Sequence, residues 1–125
     1  MDLQPITVAI ADDHVPSRKV MRNFLLKGNY QVIMEADNGQ KLLTQLESAA
    51  TLPDICLLDI NMPEMNGLET ARLVKAKWPS IKILAISGDD LYNLIRIKHL
   101  GADGFINKNC TQVELNEAVN KVLHS

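Results

Sequence analysis

Aromatic residues and cysteines are scarce in this chain of 125 residues. Aromatic residues make up 4% of it, and the two cysteines, Cys56 and Cys110, show no Cys-x-x-Cys spacing. This excludes a disulfide framework, so we predict two free thiols. The chain also lacks an apolar run long enough to cross a bilayer, and its start has neither the basic segment nor the cleavage site of a signal peptide. We therefore expect a cytoplasmic protein that makes no contact with a membrane.

An excess of charge of one sign is also absent. The net charge is −2, and the basic residues are spread along the chain among acidic ones. The basic patch typical of nucleic-acid binding is missing, so we expect no direct contact with nucleic acid. Hydrophobic residues make up 46% of the chain, and no repeat or linker interrupts it. A chain of this length has room for one core, so we expect a single domain over residues 1–125.

What the sequence does have is a set of five short apolar runs. They are ITVAIA, YQVIMEA, DICLLDI, IKILAIS and the weaker DGFIN, and each is followed by a stretch with helical spacing. The fourth of these helical stretches carries Leu91, Leu94, Ile95 and Leu100. Strict alternation of strands and helices predicts an α/β fold in which helices cover a parallel sheet, because parallel strands need crossovers of helical length.

Polar side chains stand at the ends of four of these runs. Asp12 and Asp13 follow the first run, Asp59 the third, Ser87 the fourth and Lys108 the fifth. Ligands of open α/β sheets bind at the carboxyl ends of the strands, so we expect these groups to converge there. Three carboxylates are hard oxygen ligands that suit Mg²⁺. Beside the metal, Asp59 is the best candidate for a nucleophile toward phosphorus, with Lys108 neutralising the phosphoryl oxygens.

Each of these features also has a plainer interpretation when taken alone. Asp12 and Asp13 could be an N-cap pair that opens a helix, and Lys108 could be solvated. We interpret Asp54 as a polar residue at a strand entry, and His14 as a surface residue. Only the coincidence of polar groups at successive strand ends favours a site.

Four motifs carry a resemblance to a known family. They are ADDH, DICLLDINMPEMNGLE, ILAISG and GADGFINK, and they occur in this order. The whole chain resembles the receiver domains of two-component response regulators, most of all those that precede a helix-turn-helix DNA-binding domain. The resemblance implies a flavodoxin-like, doubly wound sheet of five parallel strands with five helices. It also implies the strand order 2-1-3-4-5, which is a known property of this fold.

The resemblance further implies a role for each acidic residue of the site. Asp59 would accept the phosphoryl group. Asp13 would bind Mg²⁺ directly and Asp12 would hold a water molecule that coordinates the ion. Asn61 would contribute its backbone carbonyl to the same ion.

The remaining roles concern the two strands that follow. Ser87 would be the switch hydroxyl that bonds a phosphoryl oxygen, and Lys108 would pair with the phosphoryl group. Phe105 lies where the family has an aromatic switch residue, commonly Tyr, so that signalling through it would depend on ring packing alone. Asn109 stands where the family usually has a proline that fixes a cis bond.

The implied function is a phosphorylation-dependent switch that receives its phosphoryl group from a sensor histidine kinase or a phosphotransfer protein. Such a protein is not a conventional enzyme, although it catalyses its own Mg²⁺-dependent phosphoryl transfer and autodephosphorylation. We expect the output to pass through the face of the fourth helix, fifth strand and fifth helix, including Tyr92. That face would contact an output domain or effector protein, or a second copy after phosphorylation.

Two other classes of protein compete with this one. A Mg²⁺-dependent aspartyl-phosphate hydrolase typically has an early DxDx(T/V) motif, which DINMP in mid-chain does not match. A phosphorylation-independent interaction module stays open, because Phe105 and Asn109 depart from the family pattern. Whether a C-terminal DNA-binding domain belongs to the same protein also stays open.

Overall fold

The structure is a computed structural model that describes residues 4–62, 65–88 and 101–125. Five strands and four helices lie in these ranges. In chain order they are β1 (Thr7–Ala11), α1 (Val15–Lys27), β2 (Gln31–Ala36), α2 (Gly39–Ser48), β3 (Ile55–Asp59), α3 (Gly67–Lys77), β4 (Lys82–Ser87), β5 (Gly104–Asn107) and α4 (Gln112–Leu123). α4 corresponds to the last of the five predicted helices. The predicted fourth helix, with Leu91, Leu94, Ile95, Leu100 and Tyr92, lies outside the described residues.

All five strands pair in parallel in the order β2-β1-β3-β4-β5. This confirms the predicted sheet and places β2 and β5 at its two edges. In the centre, Ala11 of β1 lies opposite Ala36 of β2 and Leu58 of β3. Asp59 of β3 lies opposite Ile86 of β4. The carboxyl ends of the three central strands therefore lie side by side.

Two layers of apolar side chains cover the two faces of the sheet. Ala9 and Ala11 belong to the layer under α2 and α3, whereas Val8 and Ile10 belong to the layer under α1 and α4. β3 is buried over its whole length. Burial on both faces explains why the central strands are continuous apolar runs and not alternating ones. Trp78 packs against the first layer, which agrees with a packing role for this side chain.

Two helix starts fix the loops on either side of the predicted site. α1 begins after His14, whose Nδ1 accepts a hydrogen bond from the Ser17 amide, so neither Asp12 nor Asp13 is the N-cap. α3 begins after Asn66, whose side chain accepts from the Glu69 amide. Gly67 packs so closely on the Asp59 carbonyl that a β-carbon at this position would collide with the backbone. The start of α3 is therefore held directly against the end of β3.

Candidate functional site

Three carboxylates meet at the carboxyl end of the sheet. Asp12 and Asp59 are buried, with 0% and 1% exposure, and Asp13 is exposed. One oxygen from each of the three lies within 4.8 Å of the others. Because β1 and β3 are neighbours in the sheet, the polar residues at their ends are brought together as the sequence predicted. Such a cluster is costly unless a cation lies among the oxygens.

All but one of the polar groups of Asp12 form hydrogen bonds. Its amide donates to the Ala36 carbonyl at 3.0 Å. Its Oδ1 accepts from the His14 amide at 2.9 Å and lies 3.3 Å from Lys108 Nζ. Its Oδ2 is buried and has no hydrogen-bond partner among the described residues. A buried carboxylate oxygen without a partner, beside two other acids, fits a hard divalent cation such as Mg²⁺.

Asp59 is bonded through both carboxylate oxygens. Oδ1 accepts from the Asn61 amide at 2.9 Å, and Oδ2 accepts from Lys108 Nζ at 3.0 Å. Burial raises the pKa of Asp59 from 3.8 to about 6, and the negative charge of Asp12 contributes, against the opposing effects of the Asn61 amide and Lys108. Asp59 is therefore ionised at neutral pH although it is almost fully buried. A cation beside it would stabilise this charged form.

Lys108 connects the two buried acids. Burial acts to lower the pKa of Lys108, but the hydrogen bond to Asp59 and the charges of Asp59 and Asp12 outweigh it, so the net pKa is raised. The side chain is thus a protonated ammonium shared between two carboxylates. Its backbone amide donates to the Ser87 carbonyl at 2.9 Å, which ties the end of β5 to the end of β4.

The loop after Lys108 is closed by side chains. The Asn109 amide donates to Asn107 Oδ1 at 2.8 Å, a bond that a proline at this position could not make. The peptide bonds of the described residues are all trans, including the one between Lys108 and Asn109. Asn109 therefore closes this turn with a hydrogen bond from its own amide, and with a trans peptide bond before it.

The two predicted switch residues lie in different surroundings. Ser87 ends β4, is fully buried, and accepts a hydrogen bond from Asn61 Nδ2 at 3.3 Å. Phe105 lies in β5 opposite Ala85 and packs half-buried against Ala85 and Ile60. The structure thus brings Ser87 and Asn61 next to the acidic cluster, whereas Phe105 occupies an apolar cluster beside it.

Arg18 is a contact of the site that the sequence did not indicate. Its Nη1 donates to the Asp12 carbonyl at 2.7 Å, and its Nε lies 3.4 Å from Glu35 Oε1. Arg22 makes a second ion pair with Glu35, also at 3.4 Å. The only available signal was that a helix starts shortly after Asp13, so that its first turn can return a side chain toward the end of β1.

Residues 8–120 match the response regulator receiver domain family. The chain belongs to this family. It is 35% identical over 118 residues to NarL of Mycobacterium tuberculosis, a transcriptional regulatory protein, and that match covers 93% of this chain and 54% of the relative. It is 34% identical over 117 residues to the chemotaxis protein CheY of Thermotoga maritima, with 92% of this chain and 95% of CheY covered. These values confirm the resemblance that the four motifs carry.

The solved structures give the same result for the fold. The signal receiver domain of NarL from Mycobacterium tuberculosis superimposes with a TM-score of 0.89 at 32% identity, covering 98% of this chain and 99% of that domain. This receiver spans about half the length of the transcriptional regulators it matches. Response regulators are signalling proteins of two-component systems. Among the helices in the described ranges, none has both the length and the apolar character needed to cross a membrane.

Proposed function

We propose that residues 1–125 form one receiver unit that is switched by phosphorylation of Asp59. A sensor histidine kinase or a phosphotransfer protein would donate the phosphoryl group, in the cytoplasm, where the free thiols of Cys56 and Cys110 persist. The observation that carries this proposal is the convergence of Asp12, Asp13 and Asp59 within 4.8 Å, with the buried Oδ2 of Asp12 lacking a hydrogen-bond partner in the part of the chain that the structure describes.

Mg²⁺ would be held directly by Asp13, through a water molecule by Asp12, and by Asp59 and the backbone carbonyl of Asn61. When bound, the ion supplies charge neutralisation at the phosphoryl oxygens. The chain's own residues do the rest of the chemistry.

Asp59 is the nucleophile in this scheme. One of its carboxylate oxygens attacks phosphorus, the bond from phosphorus to the donor nitrogen breaks, and the donor leaves with the electron pair. The Asn61 amide fixes the orientation of the carboxylate through Oδ1. The same site then catalyses slow hydrolysis of the phosphoryl group, which makes the unit a self-resetting switch and not a conventional enzyme.

Lys108 and Ser87 would bind the phosphoryl group on Asp59. Phosphorylation of an ionised Asp59 changes the net charge by only about one unit, so charge alone is a weak signal. The new oxygens are instead hydrogen-bond acceptors for the Lys108 ammonium and the Ser87 hydroxyl, both already at the site. Their inward movement would let the Phe105 ring repack.

The output face would comprise β5, α4 and the segment with Tyr92 that lies outside the described residues. An output domain or effector protein would contact this face, and two phosphorylated copies could pair through it. The transcriptional regulators that match this chain are about twice as long as the matched region, which supports an output domain as the partner. The phosphorylation-independent alternative is not favoured, because the acids and Lys108 form an assembled cluster.

The test is phosphorylation of the chain by a small phosphodonor with Mg²⁺, followed by intact mass. We expect one phosphoryl group on the wild type, and none on Asp59→Asn or on the wild type in excess chelator. Asp54→Asn is the matched control, because Asp54 bonds Thr7 at the opposite end of the sheet, and it should be phosphorylated like the wild type. The proposal would be contradicted if Asp59→Asn were phosphorylated as much as the wild type, or if the folded wild type gained no phosphoryl group.

A further inference from the structure

We infer that Arg18 is a positioning residue of the acidic site. Arg18 holds the peptide between Asp12 and Asp13 in the orientation that places the Asp13 carboxylate for binding a divalent cation. This inference rests on the proposed function, because it assigns a role to Arg18 in the same Mg²⁺ site. None of the roles that the resemblance implies falls on Arg18. Its short contact to the Asp12 carbonyl, at 2.7 Å, is the starting point.

The Asp12 carbonyl lies at the point where the chain leaves the sheet. The Asp12 amide still bonds Ala36 of β2, but α1 begins only at Val15. The carbonyl therefore falls between the strand ladder and the helix, where a backbone acceptor has no regular partner. Arg18, the fourth residue of α1, supplies that partner. The result is that both backbone polar groups of Asp12 are fixed.

This carbonyl belongs to the peptide plane that joins Asp12 to Asp13. Because a peptide unit is rigid and planar, a bond to its oxygen sets the direction in which the chain continues into Asp13. Asp13 is the exposed member of the three acids, whereas Asp12 and Asp59 are held by burial and by Lys108. The orientation of the plane is thus one restraint on where the Asp13 carboxylate stands, together with the bond from the His14 amide to Asp12 Oδ1.

Glu35 in turn holds the guanidinium of Arg18. The Glu35 carboxylate on β2 forms ion pairs with both Arg18 and Arg22 at 3.4 Å. The Arg18 side chain is 20% exposed, against 52% for Arg22. Two arginines of α1 therefore share one carboxylate, but in the described structure only Arg18 also reaches Asp12. Arg22 is a natural control for loss of a positive charge at this surface.

Electrostatics and positioning make opposite predictions for Arg18. Removal of a positive charge near three carboxylates should by itself strengthen cation binding. Loss of the residue that orients a ligand should weaken it, and removal of such a supporting residue typically reduces metal affinity 10- to 100-fold. The sign of the change therefore separates the two interpretations.

The experiment is an NMR titration with MgCl₂, in which amide chemical shifts report binding to the whole chain without any phosphoryl transfer. For Arg18→Met we expect an affinity about tenfold weaker than that of the wild type, at the low end of that range. For Arg22→Met we expect an affinity within about twofold of the wild type or slightly tighter, since only a charge is lost. Arg18→Lys keeps the charge and one donor, and should recover part of the loss.

Glu35→Gln provides a second test in case Arg18→Met does not fold. It leaves Arg18 in place but loosens it, so the affinity should fall by less than in Arg18→Met, yet by more than the roughly twofold change that the loss of one charge explains at this surface. Equal or tighter Mg²⁺ binding by Arg18→Met, or wild-type binding by both Arg18→Lys and Glu35→Gln, would overturn the inference alone. Absence of any Mg²⁺-dependent shift in the wild type would overturn the Mg²⁺ part of the proposed function together with it.

Discussion

The two ends of the sheet use the same residue type in opposite ways. At the amino end, Asp54 Oδ2 accepts from the amide and the hydroxyl of Thr7, at 2.8 and 3.1 Å. Asp103 Oδ2 accepts from the Ile83 amide and pairs with Lys75 Nζ, both at 2.8 Å. Each of these carboxylates has donors of its own and joins two neighbouring segments.

At the carboxyl end the carboxylates face one another. Asp12 and Asp59 share a single ammonium, that of Lys108, and one buried oxygen of Asp12 has no partner among the described residues. Carboxylates with their own donors stabilise a fold, whereas a buried cluster of like charges costs stability until a cation arrives. The comparison therefore separates acids that maintain the fold from acids that are available to a ligand.

The largest effect should come from breaking the amino end at Asp103. We expect Asp103→Ala to lower the free energy of unfolding by about 3 kcal/mol, because it leaves the Ile83 amide and the Lys75 ammonium without their shared acceptor. Urea denaturation measures the change. Replacement of the exposed Asp13 by Ala, measured in metal-free buffer, should change the free energy of unfolding by less than about 0.5 kcal/mol. A comparable loss in both variants would abolish the distinction between the two ends.

A change of opposite sign is expected at Asp59. With its pKa raised to about 6, the folded state keeps a proton that the unfolded state, with a pKa near 3.8, has already released. The burial of this carboxylate therefore costs stability above pH 6, and the cost is relieved as the pH falls toward 4. In metal-free buffer we expect Asp59→Asn to be more stable than the wild type by about 2 kcal/mol at pH 7.

The pH dependence of the same variant supplies the control. The advantage of Asp59→Asn should shrink between pH 6 and pH 4, as the wild type takes up its proton. Thermal or urea unfolding of both proteins across this range is the measurement. An advantage that stays constant with pH would show that it does not arise from the charge of Asp59.

The smallest effect is the response to Mg²⁺. At a Mg²⁺ concentration ten times the dissociation constant, binding stabilises the folded chain by about 1.4 kcal/mol. Asp13→Asn should lose most of this increment, whereas Asp54→Asn should retain it in full. Unfolding curves with and without Mg²⁺ measure both. If Asp54→Asn lost the increment as well, the cation response would not belong to one end of the sheet.

The sheet could be predicted from the sequence because the burial of a strand determines which residue types it contains. Central strands that are buried on both faces must be continuous apolar runs, and polar residues at their ends, such as Asp12 and Asp59, then mark one edge. The strand order needed the family resemblance, since runs alone do not say which strands pair. The fourth predicted helix falls outside the described residues and stays a prediction.

Other features of the site could not be read from the chain. His14 as the cap of α1, Arg18 on the Asp12 carbonyl and the Asn107 turn around Asn109 all depend on where a side chain points once the backbone is folded. Residue types at these positions suit many roles, and no spacing marks them. The roles assigned to Ser87 and Phe105 stay predictions, because they concern a phosphorylated state.

The reach of Lys108 has a mechanical consequence. It extends from the end of β5 to the carboxylates at the ends of β3 and β1, across the intervening β4. β5 is the shortest strand of the described sheet, with four residues of which none is fully buried. A pull on Lys108 at the site is therefore transmitted to the least anchored part of the sheet. We expect the β5 amides to change their hydrogen-exchange rates more than those of β3 when the site changes its charge.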